Sequence, residues 1–334
     1  MKRILVTGGA GFIGSNFIRY MLRKYGYEIV NADLLTYAGN LDNLTDIKDN
    51  PNYSFVKADI SNFQDMEPLF DGVSATVNFA AESHVDRSII EPQKFLTTNI
   101  LGTQILLDLA KRYKVQKFIQ ISTDEVYGSL GESGFFTEET SLSPNSPYSA
   151  SKAGADLLVM AYHATYGLDV SITRCSNNYG QYQFPEKLIP LIIINAINNK
   201  KLPVYGDGMN VRDWIHVEDH CAAIDLVLHK GKAGWIYNVG CNNERTNISI
   251  VKTILSLLGK DESLIEFVKD RPGHDRRYAI DTSRIKKELG WHPKFDFNDA
   301  IKDTVKWYME NEDWWNKIIN GDYRKYYNEM YGGR

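Results

Sequence analysis

The chain has 334 residues, 43% hydrophobic and 24% charged, enough to bury a large core in one big domain or two smaller ones, and nothing in its composition suggests disorder. Its 38 Lys and Arg against 42 Asp and Glu give a net charge of -4, which excludes a general footing on nucleic acid or on an anionic membrane; an anionic ligand must be met by a few placed cations. Cys175, Cys221 and Cys241 are widely spaced without a C-x-x-C pattern and read as buried thiols of a reducing compartment, and no apolar run reaches the roughly 18 residues of a membrane span, so the cytoplasm is the expected location.

Short β-branched runs at 4–6, 28–32, 54–57, 75–79, 118–122 and 170–174 alternate with stretches at 13–25, 95–113 and 149–166 whose apolar residues recur at helical spacing, as do Leu101, Ile105, Leu106 and Leu109. This alternation predicts an α/β fold, a doubly wound parallel sheet of the Rossmann type with helices on both faces. The segment VTGGAGFIGSNF joins the first strand to the first helix. Its Gly8-x-x-Gly11-x-x-Gly14 spacing permits a tight turn and close approach of the backbone to a pyrophosphate, and the helix N-terminus offers free N–H groups. The second strand ends in Asp33, about 20 residues on, where a carboxylate suits the adenosine ribose and repels a 2'-phosphate, so NAD is expected rather than NADP. Two later strand ends point to the same crevice: ADI at 58–60, with Asp59 for the adenine edge, and NFAAESH at 78–84, where Ala80 and Ala81 leave room for the dinucleotide.

The run STDEVYG, 122–128, follows an apolar strand and sets Asp124 and Glu125 side by side. Two acids in a low-dielectric cleft share one proton, because ionising the second costs more. Further on, YSASK places Tyr148 and Lys152 on one helix face. A phenol becomes a base near neutral pH only with about 4 kcal/mol of differential stabilisation, which a neighbouring ammonium and a cationic nicotinamide ring are expected to supply.

After residue 175 the alternation loosens into polar, Gly- and Pro-rich loops of the kind that bind ligands, which suggests an NAD-binding domain over 1–175, with later segments free to return to it, and a smaller, mainly substrate-binding domain over 176–334. HVEDH, 216–220, lacks the Glu directly after the first His that zinc proteases carry, so no metal is expected there, and Glu218 and Asp219 read as favourable charges at a helix start. The terminal aromatics Trp314, Trp315, Tyr323, Tyr326, Tyr327 and Tyr331 read as a packed C-terminal helix.

With these motifs in place the chain resembles the extended short-chain dehydrogenase/reductase family, and Asp-Glu after Thr resembles its nucleotide-sugar 4,6-dehydratases over about the first 300 residues, through AAESHVDRS, TTNILGT, NNYG, QFPEKLIP, RDWIHVEDH, NVGCNNERTN and RPGHDRRYAID. The resemblance implies that Thr123, Tyr148 and Lys152 handle the proton of a sugar hydroxyl, that Glu125 is the base and Asp124 the acid of an elimination, and that NAD is the cofactor. It places Phe12, Ile13, Ile60, Thr98 and Asn178 with the glycines on the cofactor. Ser83, His84, Asn177, Lys187, Arg212, Asn247, Arg271 and His274 are expected around a nucleotide sugar, for which it implies dTDP-glucose; uridine- and cytidine-linked sugars, and a 4-epimerase, stay open. A non-enzyme NAD sensor would be expected to lack Tyr148, Lys152 or the acid pair. Gln181 stands where the family commonly has Pro and is expected to loosen its loop. Helices 95–113 and 149–166 are expected to form the face of a homodimer.

Overall fold

The computed structural model describes residues 2–320. Its first six strands are β1 (Arg3–Thr7), β2 (Glu28–Asp33), β3 (Tyr53–Lys57), β4 (Ala75–Asn78), β5 (Lys117–Thr123) and β6 (Val170–Cys175). After them come β7 (Asn177–Tyr179), β8 (Leu202–Tyr205), β9 (Val211–His216), β10 (Trp235–Val239), β11 (Glu244–Thr246) and β12 (Ile265–Val268). Seven form a parallel sheet in the order β10-β6-β5-β4-β1-β2-β3. The chain runs outward from β1 through β2 and β3, then resumes on the other side of β1 with β4. That reversal opens a crevice at the C-terminal ends of β1 and β4, where sheets of this kind bind ligands.

Both faces of the sheet are covered. Phe17, Ile18 and Met21 of helix Phe12–Lys24 and Val217, Cys221, Ile224 and Val227 of helix Val217–Lys230 bury one face with Ile4, Val6 and Ile119. Leu106, Leu109 and Val159, from helices Thr103–Arg112 and Pro147–Tyr166, bury the other against Leu5, Phe118 and Ile172. Every residue of β5 is buried, so the acids that follow it leave a fully desolvated strand. Beyond residue 175, β10 and helix Val217–Lys230 join this unit, while β8 pairs with β12, and β9 with β7 and β11, over a second core that includes Ile192, Trp214, Ile254, Phe297 and Trp315.

Helix Pro147–Tyr166 begins with a capping box between Ser146 and Ser149, has Pro at its first position and ends at Gly167 with φ 69°; this rigid start carries Tyr148 and Lys152. The expected helix 95–113 is broken: a short helix, Pro92–Phe95, passes into a π-helical segment, Leu96–Gly102, before Thr103–Arg112. The widened turn takes Leu101 off the apolar stripe, leaving it 46% exposed while Leu106 and Leu109 are fully buried. Cys175 and Cys221 are buried and unbridged, whereas Cys241 is half-buried. Trp314 and Trp315 are buried in helix Glu312–Ile319, and Tyr323, Tyr326, Tyr327 and Tyr331 lie outside the described residues.

Candidate active site

A cavity of about 290 Å³ follows the C-terminal ends of the sheet from the glycine turn to Lys187. At one end it meets Gly8, Gly11, Phe12, Ile13 and Gly14. A Cβ on Gly8 would lie 2.5 Å from the Ala80 nitrogen and one on Gly14 2.4 Å from the Gly8 oxygen, so the turn closes only with glycine. A Cβ on Gly11 would have 3.3 Å to its nearest neighbour and would narrow the cradle at the helix start, where no side chain among the described residues caps the first N–H groups. These groups and the helix dipole fit a pyrophosphate.

Asp33 lines the cavity and fixes the turn: its Oδ2 accepts from the Ala10 N–H at 2.9 Å and its Oδ1 from the Leu35 N–H at 2.8 Å. Burial raises its pKa, which those two bonds oppose. Asp59 also lines the cavity and holds Ser61 through both its N–H and its hydroxyl at 2.8 Å. Ile60, Ala80, Ala81, Thr98 and Asn178 complete the cofactor set on the cavity wall. The Asn178 amide is already engaged with the Ser176 carbonyl at 3.0 Å and His220 at 2.9 Å, so its side chain serves the wall.

Thr123, Asp124, Glu125, Tyr148 and Lys152 converge at the other end. Thr123 ends β5, and its hydroxyl accepts the Glu125 N–H at 3.2 Å, capping the 3₁₀ turn Asp124–Tyr127 that presents both acids. Asp124 is 2% exposed, and its Oδ2 has no hydrogen-bond partner among the described residues. Burial, then the charge of Glu125, pushes the Asp124 pKa far up. Burial raises Glu125 too, but Arg271, Arg212 and Lys187 pull it back. The proton of the pair therefore belongs on Asp124.

Of the two cations expected to favour the phenolate, the ammonium is engaged elsewhere. Lys152 gives its ammonium to the Ile121 carbonyl at 2.6 Å, and its pKa is lowered by burial, with Asp156 opposing. Tyr148 is pushed well up by burial and then by Glu125, so the protein alone holds it as a neutral phenol.

Of the residues expected on the substrate, Ser83, Asn177 and Lys187 line the cavity, and Lys187 donates to the Ser83 carbonyl at 2.9 Å. His84, Arg212, Asn247, Arg271 and His274 lie outside that wall. Arg212 donates to the carbonyls of Val211 and Asp275 at 2.8 and 2.9 Å and stacks 4.2 Å over Tyr278; Arg271 pairs with Asp86 at 3.3 Å. Both still act on Glu125 through their charge. His84 is kept neutral by burial and then by Lys187 and Arg271. His274 holds Asp270 at 2.6 Å and is lowered to about 4 by burial, and the Asn247 Oδ1 is buried without a partner among the described residues. In HVEDH, His216 caps helix Val217–Lys230 by accepting the Glu218 N–H, and among the described residues no group of three or more His, Cys, Asp or Glu is placed to hold a metal.

Asn99 was not legible as part of the site. It is 1% exposed in the π-helical segment, where it accepts the Glu82 N–H at 2.9 Å and donates to the Glu82 carbonyl at 3.0 Å and to Ser151 at 2.8 Å. It thus ties the β4 loop to the helix of Tyr148. A polar residue inside an amphipathic stretch was its only sequence signal. Gln181 ties its loop to the first helix: its side-chain amide donates to the Asn16 Oδ1 at 3.2 Å, and its main-chain carbonyl accepts from the Asn16 amide at 3.1 Å.

A glycine turn and a Tyr-x-x-x-Lys helix on one parallel sheet define an NAD-dependent enzyme of the extended short-chain dehydrogenase/reductase class. The family described as GDP-mannose 4,6 dehydratase matches residues 5–304. The dTDP-glucose 4,6-dehydratase of Neisseria meningitidis serogroup B is 50% identical, over 97% of this chain and 98% of its own. That of Bacillus anthracis, solved in complex with NAD, is 55% identical with a TM-score of 0.90, covering 95% of this chain and 100% of that one. The Streptomyces venezuelae enzyme, also solved with NAD, is 51% identical with a TM-score of 0.93, over 95% and 99%. A Thermotoga maritima UDP-glucose 4-epimerase shares the fold at a TM-score of 0.87 but only 29% identity, over 93% and 99%. The chain belongs to the family of nucleotide-sugar 4,6-dehydratases, in its dTDP-glucose 4,6-dehydratase branch.

Proposed function

We propose that the protein converts dTDP-glucose to dTDP-4-keto-6-deoxyglucose and water. The observation that carries this reading is the pair of buried Asp124 and half-buried Glu125, with their unequal surroundings, beside Tyr148. NAD is the cofactor. When bound, it supplies the hydride acceptor and donor and, in its oxidised form, a positive ring that favours phenolate.

Tyr148, as phenolate, takes the proton of the sugar C4 hydroxyl, with Thr123 as its hydrogen-bonding partner and Lys152 anchored beneath. The resulting ketone acidifies C5. Glu125 removes that proton and Asp124 protonates the departing C6 hydroxyl, so water leaves and a C5–C6 alkene forms. Reduction at C6 and return of a proton to C5 complete the product, and the cofactor ends as it began. Lys187, Arg212 and Arg271 supply the cationic surroundings that a nucleoside diphosphate requires.

The test is incubation with dTDP-glucose and with UDP-glucose in heavy water. Loss of water and deuterium at C5, with dTDP-glucose preferred, is expected; C4 epimerisation without dehydration would overturn the reading. The product suits deoxysugar biosynthesis in the cytoplasm, dTDP-rhamnose among its ends. Exposed Leu157 on the Tyr148 helix, with Leu96 and Leu101 on the segment beside it, supports a homodimer through that face.

A further inference from the structure

The loop after β2 bends over the cofactor crevice: Leu34, Thr36, Ala38 and Gly39 line the cavity beyond Asp33. Leu35 within it has a φ of 58°, a left-handed conformation that a leucine keeps only where surrounding contacts enforce it. Two residues further on, Tyr37 is held from two sides. The Phe184 ring meets Tyr37 edge-on at 5.7 Å, and the Arg87 guanidinium lies 3.9 Å over its face. Arg87 in turn pairs with Glu186 at 3.1 Å, next to Lys187 on the cavity wall. Ile318 and Ile319, from the last described helix, pack into the same cluster as Phe184, Tyr37 and Ala38. Two segments remote in sequence thus grip one ring, with the last described helix packed behind Phe184. The Tyr37 hydroxyl is buried toward Ser83 and Glu186 and makes no hydrogen bond of good geometry among the described residues, so the ring carries the grip.

The reaction returns the cofactor to its starting form, so turnover requires no exchange of NAD and favours a site that holds it. We propose that Tyr37 is a clasp of the NAD site: clamped by Phe184 and Arg87, its ring holds the 34–39 loop closed over the cofactor and joins it to the loop carrying Glu186 and Lys187, so that NAD leaves only when this contact opens. Tyr37 is a positioning residue, acting through the loop, and the proposal rests on the NAD site described above.

The test is the release of radiolabelled NAD from the loaded, full-length enzyme into excess unlabelled NAD, with the thermal unfolding midpoint of the NAD-free protein measured in parallel. Tyr37→Ala is expected to release NAD about tenfold or more faster, through loss of the ring and cation contacts, and to lose NAD on gel filtration. Tyr37→Phe, which keeps the ring, should release it at the wild-type rate. Replacing Ile318 and Ile319 together by Ala, away from the cavity wall, should speed release about two- to fivefold. Tyr37→Leu replaces the alanine variant if that one does not fold, since it keeps apolar bulk but offers Arg87 no ring face. Wild-type release rates in Tyr37→Ala or Tyr37→Leu would overturn the clasp, as would a change in release no greater than the shift in unfolding midpoint accounts for. A wild-type protein that binds no NAD would instead overturn the assignment of the site itself.

Discussion

Asp124 and Glu125 are neighbours in sequence with different surroundings, and that difference sets their pH behaviour. Glu125 must be ionised to act as a base, so turnover should fall as pH drops through its raised pKa, above the ordinary carboxylate range; on the alkaline side it should fall as Asp124 loses the shared proton. Asp124→Asn should abolish the alkaline limb along with most elimination, which a pH–rate profile of water loss would check. Glu125→Gln should slow elimination by about 10² to 10⁴-fold while NAD stays bound. Stability should follow the same Asp124 proton. The folded pKa of Asp124 lies above its unfolded value, so the native state binds more protons and stability declines as pH rises from about 4 through the raised value. Asp124→Asn removes that decline and the unpartnered buried carboxylate, so its unfolding midpoint should exceed wild type at pH 8 by more than at pH 5. The pair and its place after a buried strand were legible in the sequence. Its asymmetry was not, because the cations that lower Glu125, Lys187, Arg212 and Arg271, reach it from three segments remote in the chain.

Local pattern and element agree wherever local forces decide. The strands β1 to β6 match the β-branched runs to within a residue or two at their ends, and helix Pro147–Tyr166 carries its own start and stop signals in Ser146, Pro147 and Gly167. The break at Leu96–Gly102 had no such signal: its spacing alone suggested a continuous helix, and the widened turn carries Asn99 with its bonds to Glu82 and Ser151. Asn99→Ala strips partners from the Glu82 N–H and carbonyl and from Ser151, at a cost of about 2 to 4 kcal/mol in urea unfolding. Because Ser151 neighbours Lys152, kcat should fall as well. Asn99→Asp keeps the acceptor for Glu82 and should recover less than half the stability, since it leaves both donated bonds unmade. A variant as stable as wild type would show that the π-helical turn persists without this residue.

At the scale of the molecule, the sequence marks a change of character near residue 175 and allows later segments to return, but does not say that these are β10 and helix Val217–Lys230, since the pairing of Trp235–Val239 with Val170–Cys175 joins segments without local signals for each other. The same holds for the Trp314 indole, which donates to the Asn43 side chain at 2.8 Å while Asn43 donates to the Ala10 carbonyl of the glycine turn at 2.9 Å. Distant parts of the chain therefore bear on the cofactor end. The outer face of the Tyr148 helix is the face proposed for assembly. Leu157 is 62% exposed there, with Leu96 at 51% and Leu101 at 46% on the neighbouring segment, and apolar side chains so grouped are costly to leave in water. In a dimer built on this face, Leu157→Lys sets a charge into the apolar contact on each protomer, a desolvation cost of several kcal/mol that an isologous interface meets twice. Sedimentation equilibrium at micromolar concentration should then give the mass of one chain for the variant and of two for the wild type. Because Leu157 lies on the face opposite the cavity wall, the monomeric variant should still bind NAD; a wild-type mass of one chain, or a variant that remains a dimer, would remove this face as the interface.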